Sequence, residues 1–288
     1  MTRPPLGNGQ ATALLAVALT LGVTSFTARQ RSARPAIATV QSGSLALRAW
    51  IWRPAGRGPF PAVLFNHGSY TTGDALPPGD PAAIGSAFAR HGYVFFFLCR
   101  QGIGLSKGQG TADGEQMSRA LAARGQEARN AVQMDLLEHE EMNEALAGLA
   151  VLRGLPDVDA RRIAVVGHSF GGSLTLVMAA RETAFRAAVV FGAAAASWQQ
   201  SPALQARLLA AVRQTSTPVM FIHAANDYST APAETLDAEM ARLGKVHLLK
   251  QYPAFGRTPR EGHNLIYGSL GTWEADVFAF LQRHMQAK

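Results

Sequence analysis

The chain has 288 residues, 48% of them apolar and 16% charged, enough to bury one large core or two small ones. Its formal charge of +7 suggests a nucleic-acid or membrane partner only until the excess is located. Arg3, Arg29, Arg31 and Arg34 lie in the first 34 residues with no acid; 27 basic residues less these four leaves 23 against 20 acids. The body therefore carries an ordinary enzyme's surface charge. No block of Lys and Arg interleaved with aromatics occurs in it, which argues against nucleic-acid binding. Cys99 is the single cysteine and lies in the apolar run Tyr93–Cys99, so it reads as a buried strand thiol without a redox or catalytic role.

Taken in chain order, the first signal is the apolar stretch Ala11–Val23, which follows Arg3. It fits the h-region of an export signal or a short membrane anchor, and export is the expectation. Cleavage after Ser25 would put Val23 and Ser25 where a signal peptidase reads. The arginines at 29, 31 and 34 oppose translocation, and a flexible apolar leader is the alternative. A second segment runs from about residue 36 to 288, in which β-rich runs alternate with helical ones. Strands are expected at Ile37–Val40, Leu45–Trp52, Ala62–Phe65, Tyr93–Cys99, Arg162–Val166, Ala187–Phe191, Pro218–Ile222 and Val246–Leu249. The first two form a hairpin across Ser42-Gly43-Ser44. Helices are expected at Asp80–Arg90, about Gln126–Arg153, Gly171–Arg181, Pro202–Val212, Ala233–Arg242 and Thr272–Met285. This is the pattern of one α/β domain with a mostly parallel sheet covered on both faces.

Residues 108–145 read as a polar loop and a long amphipathic helix, either packed on the sheet or serving as a flap beside a site. The helix holds His139-Glu140-Glu141-Met142-Asn143, which opens like the zinc signature H-E-x-x-H but has Asn143 where the second histidine must stand. With Asp135, Glu138 and Glu144 it reads as a solvated acidic face, and neither a metal nor another cofactor is expected.

A serine nucleophile needs a tight strand-to-helix turn with small residues two positions away on each side. Two stretches match G-x-S-x-G: Gly167-His168-Ser169-Phe170-Gly171 and Gly104-Leu105-Ser106-Lys107-Gly108. The first follows an apolar strand directly and runs into Gly172–Ala180, of helical composition. The second lies beyond its strand and continues into Gly108-Gln109-Gly110, so Ser106 reads as a loop serine.

Serine also needs a base held in one tautomer by an acid. Asp227 lies in the polar turn after the strand Pro218–Ile222, where catalytic groups of open α/β folds gather. His263 stands behind a glycine in the loop before the last helix. The order Ser169, Asp227, His263 is that of strand-end triads. Asp237 and Glu234 compete for the acid's role but fall in a helix that reads as solvated. His91, His168, His223, His247 and His284 each have a structural explanation in a strand, an elbow or a helix end. An oxyanion needs two backbone donors. They are expected from Phe170, after the nucleophile, and from the turn His67-Gly68-Ser69-Tyr70, with Ser69 ranked above Tyr70. Tyr70 and Trp198 are the candidates for a substrate pocket wall, and Trp198 fits the core equally well.

The turn Asn66-His67-Gly68, the loop Arg100–Gly108, the elbow Gly167–Gly172, Asp227 and His263 together resemble the dienelactone hydrolase-like branch of the α/β hydrolases. The resemblance spans nearly everything after residue 36. It implies the α/β-hydrolase fold and hydrolysis of esters, less often of lactones or amides, with a small-molecule ester as partner. Dienelactone hydrolases proper carry a cysteine nucleophile where this elbow holds Ser169, so their substrate is not carried over. The chain also resembles the catalytic domain of prolyl oligopeptidases, whose propeller no stretch of this sequence would build. Only 26 residues, 192–217, separate the strands ending at Phe191 and beginning at Pro218, too few for a large helical cap. A cofactor-free haloperoxidase or lyase using the same triad, and a scaffold that only binds, are the rival functions; a binding module needs no triad.

Overall fold

The computed structural model describes Met1, residues 35–70 and residues 81–286. The apolar run expected to direct export lies outside the described residues.

The described residues form an eight-stranded sheet in the order β1-β2-β4-β3-β5-β6-β7-β8. The strands are β1 (Ala36–Ser42), β2 (Leu45–Trp52), β3 (Phe60–Asn66), β4 (Val94–Cys99), β5 (Val158–His168), β6 (Phe185–Phe191), β7 (Val219–Ala224) and β8 (His247–Tyr252). β1 and β2 pair antiparallel, β2 pairs antiparallel with β4, and every later pairing is parallel. Each expected strand is present. The helices are α1 (Pro81–Arg90), α2 (Asp113–Asp135), α3 (Glu141–Arg153), α4 (Phe170–Arg181), α5 (Pro202–Gln214), α6 (Ala231–Arg242), α7 (Pro259–His263), α8 (Leu265–Gly268) and α9 (Leu270–His284).

Successive strand side chains point to opposite faces, and both faces are dry. Leu64, Phe96, Leu98 and Val165 pack with Leu149 of α3, Leu174 of α4, Leu204 of α5 and Leu236 of α6. Their neighbours Val63, Phe65, Phe95 and Val166 pack on the other face with Ile84 and Phe88 of α1 and Trp273 and Leu281 of α9. Each such side chain, fully buried, contributes about 1.5–3 kcal/mol over leaving it exposed. This is the α/β-hydrolase fold. The connection from β6 to β7 holds a short turn and α5 and builds no cap domain.

Parallel pairing brings the carboxyl ends of five strands, β3, β5, β6, β7 and β8, to one edge. Asn66 pairs with Gly167, His168 with Phe191, Phe191 with Ile222, and Ala224 with Tyr252. Loops that leave this edge can therefore meet.

The region after β4 departs from expectation. Helix starts at Asp113, where a polar loop was expected up to about residue 125, and Gly125 (φ 78°, ψ −171°) breaks α2 into two arms. A π-helical stretch, Leu136–Glu140, then leads into α3. The first arm buries only Asp113, Gly114, Met117 and Ala120, too thin an apolar stripe for periodicity to reveal. The expected solvated acidic face is also corrected. Glu141 is fully buried and Glu144 nearly so, because Arg100, itself 0% exposed, stands opposite them.

Candidate active site

β5 ends at His168 and α4 begins at Phe170, so the whole strand-to-helix turn rests on Ser169. Its backbone is left-handed (φ 56°, ψ −120°), a strain of about 1–3 kcal/mol for a residue with a Cβ. The flanking glycines make the turn possible by close approach. A Cβ on Gly167 would stand 2.2 Å from the Gly171 carbonyl oxygen, and one on Gly171 would stand 2.1 Å from that of Asn66. The Ser169 N–H donates to the Phe191 carbonyl at 2.8 Å, and its carbonyl accepts from Gly172 and Ser173. With the main chain so occupied, the Oγ projects over the strand edge.

There it meets His263. Ser169 Oγ lies 2.8 Å from His263 Nε2, and His263 Nδ1 lies 2.7 Å from Asp227 Oδ1. Three residues from three connections thus form one continuous hydrogen-bonded chain. Asp227 follows β7, and His263 ends α7, a helix opened by a Thr258–Glu261 capping box. Asn226 ties the two connections together: its Nδ2 donates to the Phe255 and Thr258 carbonyls, and its Oδ1 accepts from the Phe255 N–H.

Asp227 accepts three hydrogen bonds. Oδ1 takes His263 Nδ1–H and the Tyr228 N–H, and Oδ2 takes His223 Nδ1–H at 2.9 Å. Burial alone would raise this carboxyl, but the bonds from His223 and His263 outweigh it and bring the acid down to about 2. It is ionised throughout the working range of an enzyme.

Two of the histidines read as structural stand against the site. His168 turns away from the Ser169 hydroxyl, but its Nε2–H donates to the His263 carbonyl at 2.8 Å and its ring lies 4.8 Å from that of His263. Burial, with the neighbouring His263, takes His168 down to about 3, so it stays neutral. His223 orients the acid. The His168 contact joins segments 95 residues apart and the His223 contact spans four, and position along a strand gives no sign of either. The signal in reach was the pair of histidines placed one residue before the nucleophile and four before the acid. Tyr228 was missed too; it is about half exposed, with its ring 5.1 Å from that of His263.

Of the two expected oxyanion donors, Phe170 opens α4, where backbone N–H groups have no helical partner. The turn after β3 lies alongside: a Cβ on Gly68 would come within 3.2 Å of Ser169 Cβ. The Tyr70 N–H is taken by Asp113 Oδ1 at 3.1 Å, which leaves Ser69 as the better-placed residue of that turn. Tyr70 itself is buried against Ile103 and Ala112. Trp198 is 5% exposed and packs into the core shared by α4 and α5. Among the described residues no group of three His, Cys, Asp or Glu is arranged to hold a metal ion, and no helix is long and apolar enough to cross a membrane.

The chain matches the dienelactone hydrolase family over residues 47–278. It belongs to that family. No curated protein sequence matches it. Among solved structures, the acylaminoacyl peptidase of Pyrococcus horikoshii superposes with a TM-score of 0.66 at 17% identity, over 90% of this chain and 43% of the peptidase. A puromycin-hydrolysing peptidase of Mycobacterium tuberculosis gives 0.64 at 16% identity, over 88% and 40%. An esterase of Pyrococcus furiosus gives 0.60 at 14% identity, over 88% of this chain and 91% of the esterase. The chain thus spans about two fifths of the length of each peptidase. At these identities the likeness is one of fold.

Proposed function

We propose that this protein is a serine hydrolase of carboxylic esters that works through an acyl-enzyme on Ser169. The observation that carries the reading is the chain from Ser169 Oγ through His263 to Asp227, with steps of 2.8 and 2.7 Å. Such a chain makes a weak nucleophile usable. As Ser169 Oγ attacks the ester carbonyl, His263 Nε2 takes its proton, while Asp227 keeps Nδ1 protonated and stabilises the imidazolium. The carbonyl oxygen becomes an oxyanion, received by the N–H groups of Phe170 and Ser69. Collapse expels the alcohol, which leaves with the proton from His263, and water repeats the sequence to release the acid. Asp227, ionised down to about 2, adds no limb to the pH profile above that value.

Esters are preferred to peptides because the esterase is matched nearly end to end, whereas the peptidases are matched over less than half their length. The test is a panel of p-nitrophenyl esters from acetyl to long acyl, beside p-nitroanilides of matched acyl groups, with wild type and Ser169→Ala. Wild type should turn over esters well above anilides, and Ser169→Ala should do neither. Equal ester rates for the two proteins would remove the nucleophile; a preference for anilides would make the protein a peptidase. The N-terminal run Ala11–Val23 is read as an export signal, and the mature protein's first residue, determined after secretion, checks it.

A further inference from the structure

Arg100 follows β4 and is fully buried. Its Nη2 donates to the His67 carbonyl at 2.9 Å and the Gly68 carbonyl at 3.3 Å, and its backbone N–H donates to His67 Nε2. Its guanidinium carbon also lies 5.6 Å over the ring of Phe170. One side chain therefore touches both segments from which the oxyanion donors come.

Asp113, the first residue of α2 and equally buried, holds the same turn from its far end. Its Oδ1 accepts from the Tyr70 N–H at 3.1 Å, the Ser69 hydroxyl bonds its carboxylate, and its Oδ2 stands 3.7 Å from Arg100 Nη2. Behind them Glu141 lies 2.5 Å from Arg100 Nε, and Glu144 accepts the Gln101 N–H. Three buried carboxylates around one arginine are a poor way to gain stability, since each ion gives up several kcal/mol of hydration. Burial duly pushes Asp113 and Glu141 up and takes Glu144 to about 7. What the cluster does provide is a fixed path for the backbone from His67 to Tyr70, a segment so near the nucleophile that a Cβ on Gly68 would come within 3.2 Å of Ser169 Cβ.

We propose that Arg100 and Asp113 are positioning residues of the oxyanion hole: they hold the His67–Tyr70 turn from both ends so that the Ser69 N–H points at the developing oxyanion. The proposal rests on the serine-hydrolase reading. Displacement of about 1 Å at such a site can cost about a hundredfold in rate, so the clamp should register in the transition state and not in substrate binding.

The test compares wild type with Asp113→Ala, Asp113→Asn and Arg100→Lys, each checked for a cooperative thermal transition. Asp113→Ala should lower kcat about 10- to 100-fold with KM within about twofold. The affinity for a trifluoromethyl ketone, whose adduct on Ser169 carries an oxyanion, should fall by a similar factor. Asp113→Asn keeps an acceptor for the Tyr70 N–H and should recover most of that loss. The rate at which a fluorophosphonate captures Ser169 should fall in parallel, and this readout needs no substrate. Unchanged kcat and capture in the folded variants, or a loss confined to KM, would overturn the proposal. So would failure of even Asp113→Asn and Arg100→Lys to fold, since the cluster would then be holding up the domain. If wild type is captured but cleaves no ester, the ester reading falls and the capture rates still decide this one. No capture of wild type defeats both.

Discussion

The two G-x-S-x-G stretches share a pattern and almost nothing else. Around Ser106 the left-handed backbone falls on glycines: Gly102, Gly104, Gly108 and Gly110 all have φ between 52° and 83°. Around Ser169 it falls on the serine itself, and the flanking glycines serve by letting other backbone come close. The hydroxyls differ accordingly. Ser106 Oγ donates to the Cys99 carbonyl at 2.6 Å and accepts from the Arg48 N–H at 2.9 Å, and it is fully buried. It pins the loop after β4 to β2. Ser169 Oγ faces one partner, a histidine that can take its proton. A serine is made reactive by strain that points it outward and by a base in reach; the motif supplies only room for the turn.

Breaking each serine separates the two roles. Ser169→Ala should lower kcat on a p-nitrophenyl ester by about a million-fold with the melting temperature close to wild type. Comparable turnover in the two proteins would return Ser106 to consideration. Next in size is Asp227→Asn. The amide can present its N–H to His263 and reverse the tautomer, leaving Nε2 protonated and useless as a base, at a cost of about ten-thousand-fold. A loss below about tenfold would mean that the bond from His168 to the His263 carbonyl orients the base without the acid.

Ser106→Ala should do the opposite of Ser169→Ala. It leaves the part-buried Arg48 N–H and one buried bond to the Cys99 carbonyl unmade, worth about 1–3 kcal/mol of stability, while kcat per folded molecule stays near wild type. Urea unfolding beside active-site titration with a fluorophosphonate measures both. A large fall in kcat with unchanged stability would reverse the assignment of the two motifs.

The fold was legible because a parallel sheet buried on both faces writes its strands as short apolar runs. Runs such as Ala62–Phe65 and Tyr93–Cys99 can be recognised without knowing their partners. The serine, acid and histidine were legible because each stands just beyond such a run. What escaped depends on contacts between segments far apart in sequence. Glu141 and Glu144 have the spacing of a solvated face and are buried only because Arg100, more than forty residues earlier, comes opposite. The first arm of α2 was taken for loop because it has little apolar stripe to show. His223 looked like a strand residue and His168 like part of the elbow; that their rings also reach Asp227, four residues after His223, and the distant His263 carbonyl is a property of the assembled edge.

The residue before the serine sharpens the contrast further. The loop motif has Leu105 there, half packed in the core, whereas the elbow has His168, whose Nε2–H must stay on the ring to hold the His263 carbonyl. Burial, with His263 beside it, keeps this ring neutral down to about pH 3, whereas an unfolded chain protonates it near pH 6.5. Between those values the unfolded state binds a proton that the folded state refuses, so stability must fall as pH drops through that window and level off below it. The slope from this one group approaches about 1.4 kcal/mol per pH unit. Glu144, raised to about 7, acts in the other direction over pH 7 to 4.5, so the net acid limb of wild type need not reveal either group. The difference between wild type and His168→Gln does, because glutamine can donate to the same carbonyl but does not titrate. Urea midpoints measured from pH 7 to 4 should fall less steeply for the variant than for wild type. Parallel curves would show that His168 titrates alike in both states, and that the bond to the His263 carbonyl is too weak to hold the base in register with Ser169.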